Sequence, residues 1–270
     1  LRTSNITSID AESISKPVEI VFPTDGDQAH GFFYPPCNSN WRSKTDEHPP
    51  LIVLSHGGPT AAASSTLNLK IQFWTSRGFG VVDVNYRGSS GYGREYRQKL
   101  DGQWGIVDVV DVVNAARYLI DQGQADAQRL IIRGASAGGY TTLAALVRYP
   151  EVFSAGASYY GVVDIEALAR DTHKFESRYL ETLVGSYTES RDLYLERSPI
   201  HAMDQLACPL ILFQGLEDRV VPPNQSQMVA EAARAKGLPV KLLTFDGEQH
   251  GFKKAETIVR CFEAELSFYK

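Results

Sequence analysis

The chain has 270 residues, of which 43% are hydrophobic and 22% are charged. These values are typical of a globular protein and exclude a disordered, collagen-like or coiled-coil chain. Its 32 acidic residues outnumber its 27 Lys and Arg residues, so the net charge of −5 argues against nucleic-acid binding. No apolar run approaches the roughly 18 residues that a membrane span requires, so no membrane partner is expected.

The cysteine content indicates a reducing compartment. Cys37, Cys208 and Cys261 are too few for a disulfide framework, and their spacing matches no zinc site. We therefore expect a cytoplasmic protein that needs no metal or other cofactor. Because the chain starts at Leu1 rather than Met, we also expect it to be a piece of a longer protein.

In chain order, the first predicted structure is a hairpin of residues 17–22 and 29–34 around Thr24-Asp25-Gly26-Asp27. Short apolar runs then alternate with helical patterns. Strands are predicted at 51–55, 80–84, 129–133, 154–159, 209–213 and 239–244, and helices at 106–121, 139–148, 225–236 and 254–268. This alternation predicts an α/β fold with a mostly parallel central sheet and helices on both faces. Residues 161–206 break the pattern and are predicted to be an insertion over the strand ends.

The sequence Gly134-Ala135-Ser136-Ala137-Gly138-Gly139 lies between a predicted strand and a predicted helix. This is the Gly-x-Ser-x-Gly pattern in the context that a nucleophile elbow requires. The sharp turn strains the backbone at the serine and holds its hydroxyl above the sheet. Ser136 is therefore the candidate nucleophile.

A serine hydroxyl needs a histidine base, and that histidine needs a carboxylate to fix its tautomer. Downstream of Ser136 lie His173, His201 and His250, of which the first two fall in the insertion. His250 closely follows the predicted strand 239–244, so we expect it at the carboxyl edge of the sheet as the base. The other two are interpreted as surface or packing residues.

Two carboxylates are candidates for the group that fixes the tautomer of the histidine. Glu217 and Asp218 both lie in the loop after the predicted strand 209–213. Asp218 is favoured because it comes three residues after Gly215, which ends the strand, and Glu217 is then a neighbour or ion-pair partner.

The tetrahedral intermediate of acyl transfer needs two donors for its oxyanion. The backbone N–H of Ala137, directly after the nucleophile, is the first candidate. The second is either a backbone N–H of His56-Gly57-Gly58-Pro59 or a side chain from the glycine-rich loop 87–93.

Five motifs in order resemble the catalytic domain of the prolyl oligopeptidase family, and most closely its acylaminoacyl-peptidase and dipeptidyl-aminopeptidase-like branch. They are His56-Gly57-Gly58-Pro59-Thr60, Asn85-Tyr86-Arg87-Gly88-Ser89-Ser90-Gly91-Tyr92-Gly93, the elbow with its double glycine, the Asp218 loop ending in Val221-Pro222, and Gly247-Glu248-Gln249-His250-Gly251-Phe252. The resemblance runs from about residue 15 to the end. It implies an α/β-hydrolase fold and a triad of Ser136, Asp218 and His250.

The resemblance leaves two second oxyanion donors open, the hydroxyl of Tyr92 and the backbone of Gly58. Several members also carry Arg or Asn two residues after the acid, as a contact to a substrate carbonyl. That position is Val220 here, and Arg219 lies one residue earlier. Whether Arg219 makes the contact instead stays open.

The remaining substrate candidates lie after the predicted strand 154–159. Tyr159, Tyr160 and Val163 occupy the region where such enzymes build a pocket for the residue before the scissile bond. Aromatic walls there favour an apolar side chain, although Tyr159 and Tyr160 are equally interpretable as half-buried strand residues. Lys174, Glu176 and Arg178 are interpreted as a solvated charged face.

The sequence thus predicts a serine peptidase that hydrolyses short peptides through an acyl-enzyme, with aminopeptidase, dipeptidyl-peptidase or acylaminoacyl-peptidase activity. A carboxylesterase and a catalytically dead binding module are the rival functions. Residues 1–45 are predicted to be an N-terminal linker and hairpin and residues 46–270 the catalytic domain. The resemblance further implies an N-terminal β-propeller upstream of this chain and leaves a homo-oligomer open.

Overall fold

The structure is a computed structural model that describes residues 9–42, 44, 47–171 and 178–270. Its strands are β1 (Val18–Thr24), β2 (Asp27–Tyr34), β3 (Leu51–Ser55), β4 (Gly80–Asn85), β5 (Leu130–Ala135), β6 (Ala155–Tyr159), β7 (Leu210–Gly215) and β8 (Val240–Phe245). They form one 8-stranded sheet in the order β1-β2-β4-β3-β5-β6-β7-β8. Each strand lies within about two residues of its predicted bounds.

The N-terminal hairpin is part of this sheet. Asp25 and Gly26 form its turn with φ values of 46° and 77°, the left-handed conformation that Asp-Gly hairpin turns favour. Strand β2 then pairs antiparallel with β4, whereas every pairing from β4 to β8 is parallel. The predicted mostly parallel sheet is therefore confirmed, and the domain boundary between residues 45 and 46 stays a prediction.

The helices are α1 (Leu69–Thr75), α2 (Arg94–Gln98), α3 (Val107–Asp121), α4 (Ala137–Arg148), α5 (Ile165–Asp171), α6 (Tyr179–Leu183), α7 (Arg191–Arg197), α8 (Asn224–Ala235) and α9 (Ala255–Tyr269). Short 3-10 helices cover Ala11–Ser13 and Pro199–Gln205. The four longest helices are those that the sequence predicts. Helices α1 and α2 were not predicted, because seven and five residues complete at most two turns and show no clear period. None of the described helices is long and apolar enough to cross a membrane.

Both faces of the sheet are buried, as its continuous apolar strands require. In β3, Leu51 and Val53 pack into the core that contains residues of α3 and α4, while Ile52 points to the opposite core with α1 and α9. Successive side chains of a strand alternate between faces, so an unbroken apolar run is stable only when both faces are covered. The predicted helices on both faces are confirmed.

The described residues of the insertion at 161–206 form α5, α6, α7 and the second 3-10 helix. It reaches the loop that follows β3, because the Tyr179 hydroxyl lies 2.7 Å from Thr60 Oγ1. It also contacts the segment before α3, where the Trp104 N–H donates to the Leu183 carbonyl at 3.2 Å. The predicted residues His173, Lys174 and Glu176 lie outside the described residues.

Candidate active site

The predicted site residues lie in the loops that follow β3, β5, β7 and β8. Because these strands are parallel, their carboxyl ends meet at one edge of the sheet. The structure brings together at this edge the three side chains that the sequence selected, Ser136, Asp218 and His250.

Ser136 occupies a strained turn between β5 and α4. Its φ of 57° and ψ of −122° are unusual for a residue with a side chain. The neighbouring glycines make the turn possible, since a methyl group on Gly134 would lie 2.1 Å from Gly138 O, and one on Gly138 would lie 2.0 Å from Ser55 O. The Ser136 N–H donates to Tyr159 O at 2.9 Å, which ties the turn to β6.

A continuous hydrogen-bonded chain joins the three side chains. His250 Nδ1 lies 2.8 Å from Asp218 Oδ2, and His250 Nε2 lies 2.8 Å from Ser136 Oγ. A carboxylate only accepts, so Nδ1 carries the proton and Nε2 accepts from the serine hydroxyl. This is the tautomer in which the imidazole can take the serine proton.

The Asp218 carboxylate is fixed from its other side. Its side chain is buried, and Oδ1 accepts the N–H groups of Val220 and Val221 at 2.9 Å each. Glu217 is exposed and does not contact the imidazole. The geometry therefore agrees with the choice of Asp218 over Glu217.

Glu248 supports the histidine loop and was not singled out from the sequence. Its buried carboxylate accepts the backbone N–H groups of Lys253 and Lys254 at 3.0 Å each, and its carbonyl accepts the Glu217 N–H. Burial acts to raise the pKa of Glu248, but these donors, with Thr257 and the Lys254 charge, outweigh it and lower the pKa. The sequence signal that could have identified Glu248 is an acidic residue two positions before the candidate base, in the loop that leads to a helix.

Two backbone N–H groups close to Ser136 in the chain or in space have no hydrogen-bond partner among the described residues. Gly57 lies against the nucleophile, because a methyl group on it would lie 3.6 Å from Ser136 Cβ. Within the part of the chain that the structure describes, the N–H groups of Gly58 and Ala137 donate no hydrogen bond. Both predicted backbone donors thus remain available to a ligand next to Ser136.

Tyr92, the other predicted oxyanion donor, contacts different neighbours. Its hydroxyl accepts from Asn85 Nδ2 at 3.0 Å, and its ring stacks on His30 with centroids 4.2 Å apart. These residues belong to β4 and β2. The geometry favours Gly58 over Tyr92 as the second donor.

The substrate candidates after β6 divide into core and site. Tyr159 is buried, stacks on Phe213 at 4.3 Å and donates its hydroxyl to Glu265, and Val163 is fully buried. Tyr160, in contrast, packs its ring against His250 at 4.9 Å and has a positive φ of 38°. Of the three, Tyr160 alone packs its ring against the imidazole. The sequence could not distinguish it from Tyr159, because the alternation of apolar residues does not say which of the two tyrosines faces the site.

Arg219 and Val220 are both exposed at the rim of the Asp218 loop. They line a small pocket that also includes Val162, Val221 and Gln225. Arg219 is therefore next to Asp218 at the edge of the site. His201, which the sequence analysis interprets as a surface or packing residue, is exposed on the second 3-10 helix. Arg178 is also exposed.

Comparison with known proteins identifies the family. The Prolyl oligopeptidase family matches residues 65–270. The chain is 31% identical over 225 residues to dipeptidyl aminopeptidase BIII of Pseudoxanthomonas mexicana, covering 82% of this chain and 33% of that protein. It is 32% identical over 213 residues to the acylamino-acid-releasing enzyme of Rattus norvegicus, covering 77% of this chain and 29% of that protein. The chain therefore spans about a third of the length of these relatives.

Solved structures share the fold and the arrangement of its elements. A puromycin-hydrolyzing peptidase of Mycobacterium tuberculosis is 48% identical with a TM-score of 0.94, covering 97% of this chain and 40% of that chain. The acylaminoacyl peptidase of Pyrococcus horikoshii is 26% identical with a TM-score of 0.84, covering 94% of this chain and 41% of that chain. The fold is thus the α/β-hydrolase fold that the motifs implied, and the chain belongs to the prolyl oligopeptidase family.

Proposed function

We propose that this chain is the catalytic part of a serine peptidase that hydrolyses short peptides through an acyl-enzyme. The observation that carries the proposal is the hydrogen-bonded chain from Ser136 Oγ through His250 to Asp218, with a distance of 2.8 Å at each step. The family membership supports it, because relatives of both exopeptidase kinds match most of this chain.

In the first half-reaction, Ser136 Oγ attacks the carbonyl carbon of the scissile bond while His250 Nε2 accepts its proton. The Asp218 carboxylate stabilises the resulting imidazolium and keeps its orientation. The carbonyl oxygen becomes an oxyanion that the N–H groups of Ala137 and Gly58 stabilise. His250 then gives the proton to the leaving amine, the carbon–nitrogen bond breaks, and the acyl group remains on Ser136 as an ester.

In the second half-reaction, a water molecule replaces the amine. His250 accepts a proton from the water as its oxygen attacks the ester carbonyl, and a second tetrahedral intermediate forms at the same donors. Its collapse releases the carboxylic acid and returns the proton to Ser136 Oγ. The strained backbone at Ser136 holds the hydroxyl in place for both attacks.

We propose that the acyl group carries an apolar side chain. Tyr160 and Phe252 pack edge to face with ring centroids 5.2 Å apart, and Tyr160 also contacts His250, so an apolar wall borders the imidazole. Val220 and Leu216 are exposed apolar residues in the Asp218 loop. Apolar surface at a binding site favours an apolar ligand group.

Fluorophosphonate labelling tests the nucleophile. We expect Ser136→Ala to abolish labelling and to lower kcat by roughly 10⁴-fold or more, while the protein stays folded. Ser154→Ala, which changes an exposed serine outside the site, is the matched control and should label fully. If Ser136→Ala is still labelled, or hydrolyses substrate at the wild-type rate, the proposed function is wrong.

A substrate panel tests the acyl group and the leaving group. The ester in the panel is p-nitrophenyl acetate. The amides are aminoacyl, dipeptidyl and N-acetylaminoacyl p-nitroanilides, and each of these is made once with Phe and once with Glu as the residue before the scissile bond. Puromycin, an aminoacyl amide with an aromatic side chain, is added because the Mycobacterium tuberculosis relative is described as puromycin-hydrolyzing. We expect Phe versions to be preferred; a preference for Glu would contradict the apolar wall, and turnover of the ester alone would indicate an esterase.

A further inference from the structure

Gln214, the residue before the last of β7, carries a fully buried side-chain amide that lies beside the acid of the proposed triad. Its Nε2 donates to Val221 O at 3.1 Å and to Gly215 O at 3.2 Å, and lies 3.5 Å from Asp218 Oδ2. Its Oε1 accepts from the hydroxyl of the buried Ser226 at 2.7 Å. The amide therefore has polar partners at both of its ends.

The chemistry of these partners determines which way the amide faces. Two carbonyl oxygens and one carboxylate oxygen lie around the nitrogen, and all three can only accept. The reverse orientation would place the amide oxygen against three acceptors. Because buried polar groups that face no suitable partner are costly, the Gln214 side chain has one stable orientation, and the Ser226 hydroxyl holds it there.

The Gln214 amide closes the loop of residues 215–221 that carries Asp218. Val221, the last residue of this loop, is bonded on both sides: its N–H donates to Asp218 Oδ1 at 2.9 Å, and its carbonyl accepts from Gln214. Four other side chains of the loop are exposed and contribute little packing; they belong to Leu216, Glu217, Arg219 and Val220. The position of the loop thus depends mainly on its buried hydrogen bonds.

Asp218 and His250 belong to different loops, so their distance of 2.8 Å depends on how each loop is held. The Glu248 carboxylate fixes the histidine loop by its own hydrogen bonds. The two loops meet where the Glu217 N–H donates to Glu248 O at 3.0 Å. We propose that Gln214 is a positioning residue that holds the Asp218 loop so that the carboxylate faces His250 Nδ1. The inference rests on the proposed function.

Gln214→Met tests this role because methionine has a similar length but no hydrogen-bond donor. A misplacement of about 1 Å can lower a rate by about 10²-fold. We expect kcat to fall by about 10-fold to 100-fold and KM to change less than about twofold, since Asp218 acts on the imidazole and not on the substrate. Gln227→Met, the same change at an exposed residue of α8, is the matched control and should keep wild-type kcat.

A double-variant cycle with Asp218→Asn provides a readout that general loosening of the fold would not reproduce. Independent effects on kcat multiply, whereas the effects of residues that act through one another do not. Gln214→Met should therefore lower the kcat of Asp218→Asn by less than about threefold. The rate of fluorophosphonate labelling of Ser136, measured on the same four proteins, should follow the same pattern.

The outcomes separate this inference from the function on which it rests. Wild-type kcat in Gln214→Met, or a loss of the same size in the Asp218→Asn background, would overturn the positioning role and leave the triad intact. Turnover at the wild-type rate in Ser136→Ala would instead show that the proposed function is wrong.

Ser226→Ala replaces Gln214→Met if that variant does not fold. Without the hydroxyl, the amide loses the partner that fixes its orientation, so kcat should fall about threefold to tenfold with KM unchanged. This loss should disappear in the Asp218→Asn background. Unchanged kcat in Ser226→Ala, or a loss that persists in that background, would overturn the inference.

Discussion

Glu265 is the centre of a buried network between α9 and the sheet, and its removal should be among the most destabilising single changes in this protein. Its side chain is fully buried and lies 2.8 Å from Arg133 Nε, while Arg133 Nη2 donates to it at 3.2 Å. Tyr159 and Tyr269 donate their hydroxyls to its two oxygens at 2.5 and 2.6 Å. One carboxylate thus pairs with three side chains, of which Tyr159 is buried and Arg133 and Tyr269 are half-buried.

The magnitude follows from what Glu265→Ala leaves behind. The Arg133 side chain is only 14% exposed, so its charge would be left largely buried without the carboxylate that it contacts, which costs about 3–5 kcal/mol. The two hydroxyls would lose their acceptor and add a partly overlapping cost of about 1 kcal/mol each. Domains of ordinary stability unfold with about 5–15 kcal/mol, so Glu265→Ala should be only marginally stable.

Urea denaturation followed by fluorescence measures this cost, with Glu263→Ala as the matched control. Glu263 is exposed on the same helix, so its replacement should change the free energy of unfolding by no more than about 0.5 kcal/mol. The double variant Arg133→Met with Glu265→Leu removes both charges and should recover much of the loss. A loss below about 1 kcal/mol in Glu265→Ala, or no recovery in the double variant, would refute the reasoning.

Three further predictions concern the site and its surroundings. Asp218→Asn should lower kcat by about 10⁴-fold, whereas Glu217→Gln should stay near the wild-type value; a larger effect of Glu217→Gln in the same anilide assay would identify it as the acid. Tyr92→Phe should lower kcat less than about threefold, because the geometry favours the Gly58 N–H as the second donor; a loss of roughly 10²-fold would transfer the role to the hydroxyl. Burial raises the pKa of Asp108 to about 6, so this buried carboxyl favours folding when protonated and its contribution is lost as the pH rises through about 6. In melting experiments Asp108→Asn should therefore gain stability relative to the wild type as the pH rises from about 4 to about 6 and keep a constant difference above about pH 7, and a difference that does not change between about pH 4 and about pH 7 would contradict this assignment.

The sequence by itself determined the fold class and selected the three residues that the structure joins in one hydrogen-bonded chain. Strands and helices of the alternating pattern lie close to their predicted bounds because their apolar runs are long enough to show a period. The elbow around Ser136 is a local signature, since the strand, the close-packed glycines and the helix are contiguous in the chain. Asp218 and His250 could be selected because parallel strands place the loops that follow them at one edge.

Only the tertiary structure decided how these residues are held. Tyr159 and Tyr160 are adjacent in the sequence, yet one belongs to the Glu265 network and the other contacts His250, because the end of β6 directs them to different surroundings. The bond from Gln214 to Val221 O was likewise not foreseen, since it depends on side-chain and peptide orientation within one loop. Sequence patterns indicate which residues lie near each other at one edge of the sheet. Hydrogen bonds, in contrast, depend on atomic positions to within about an ångström, and packing across the whole fold determines those positions.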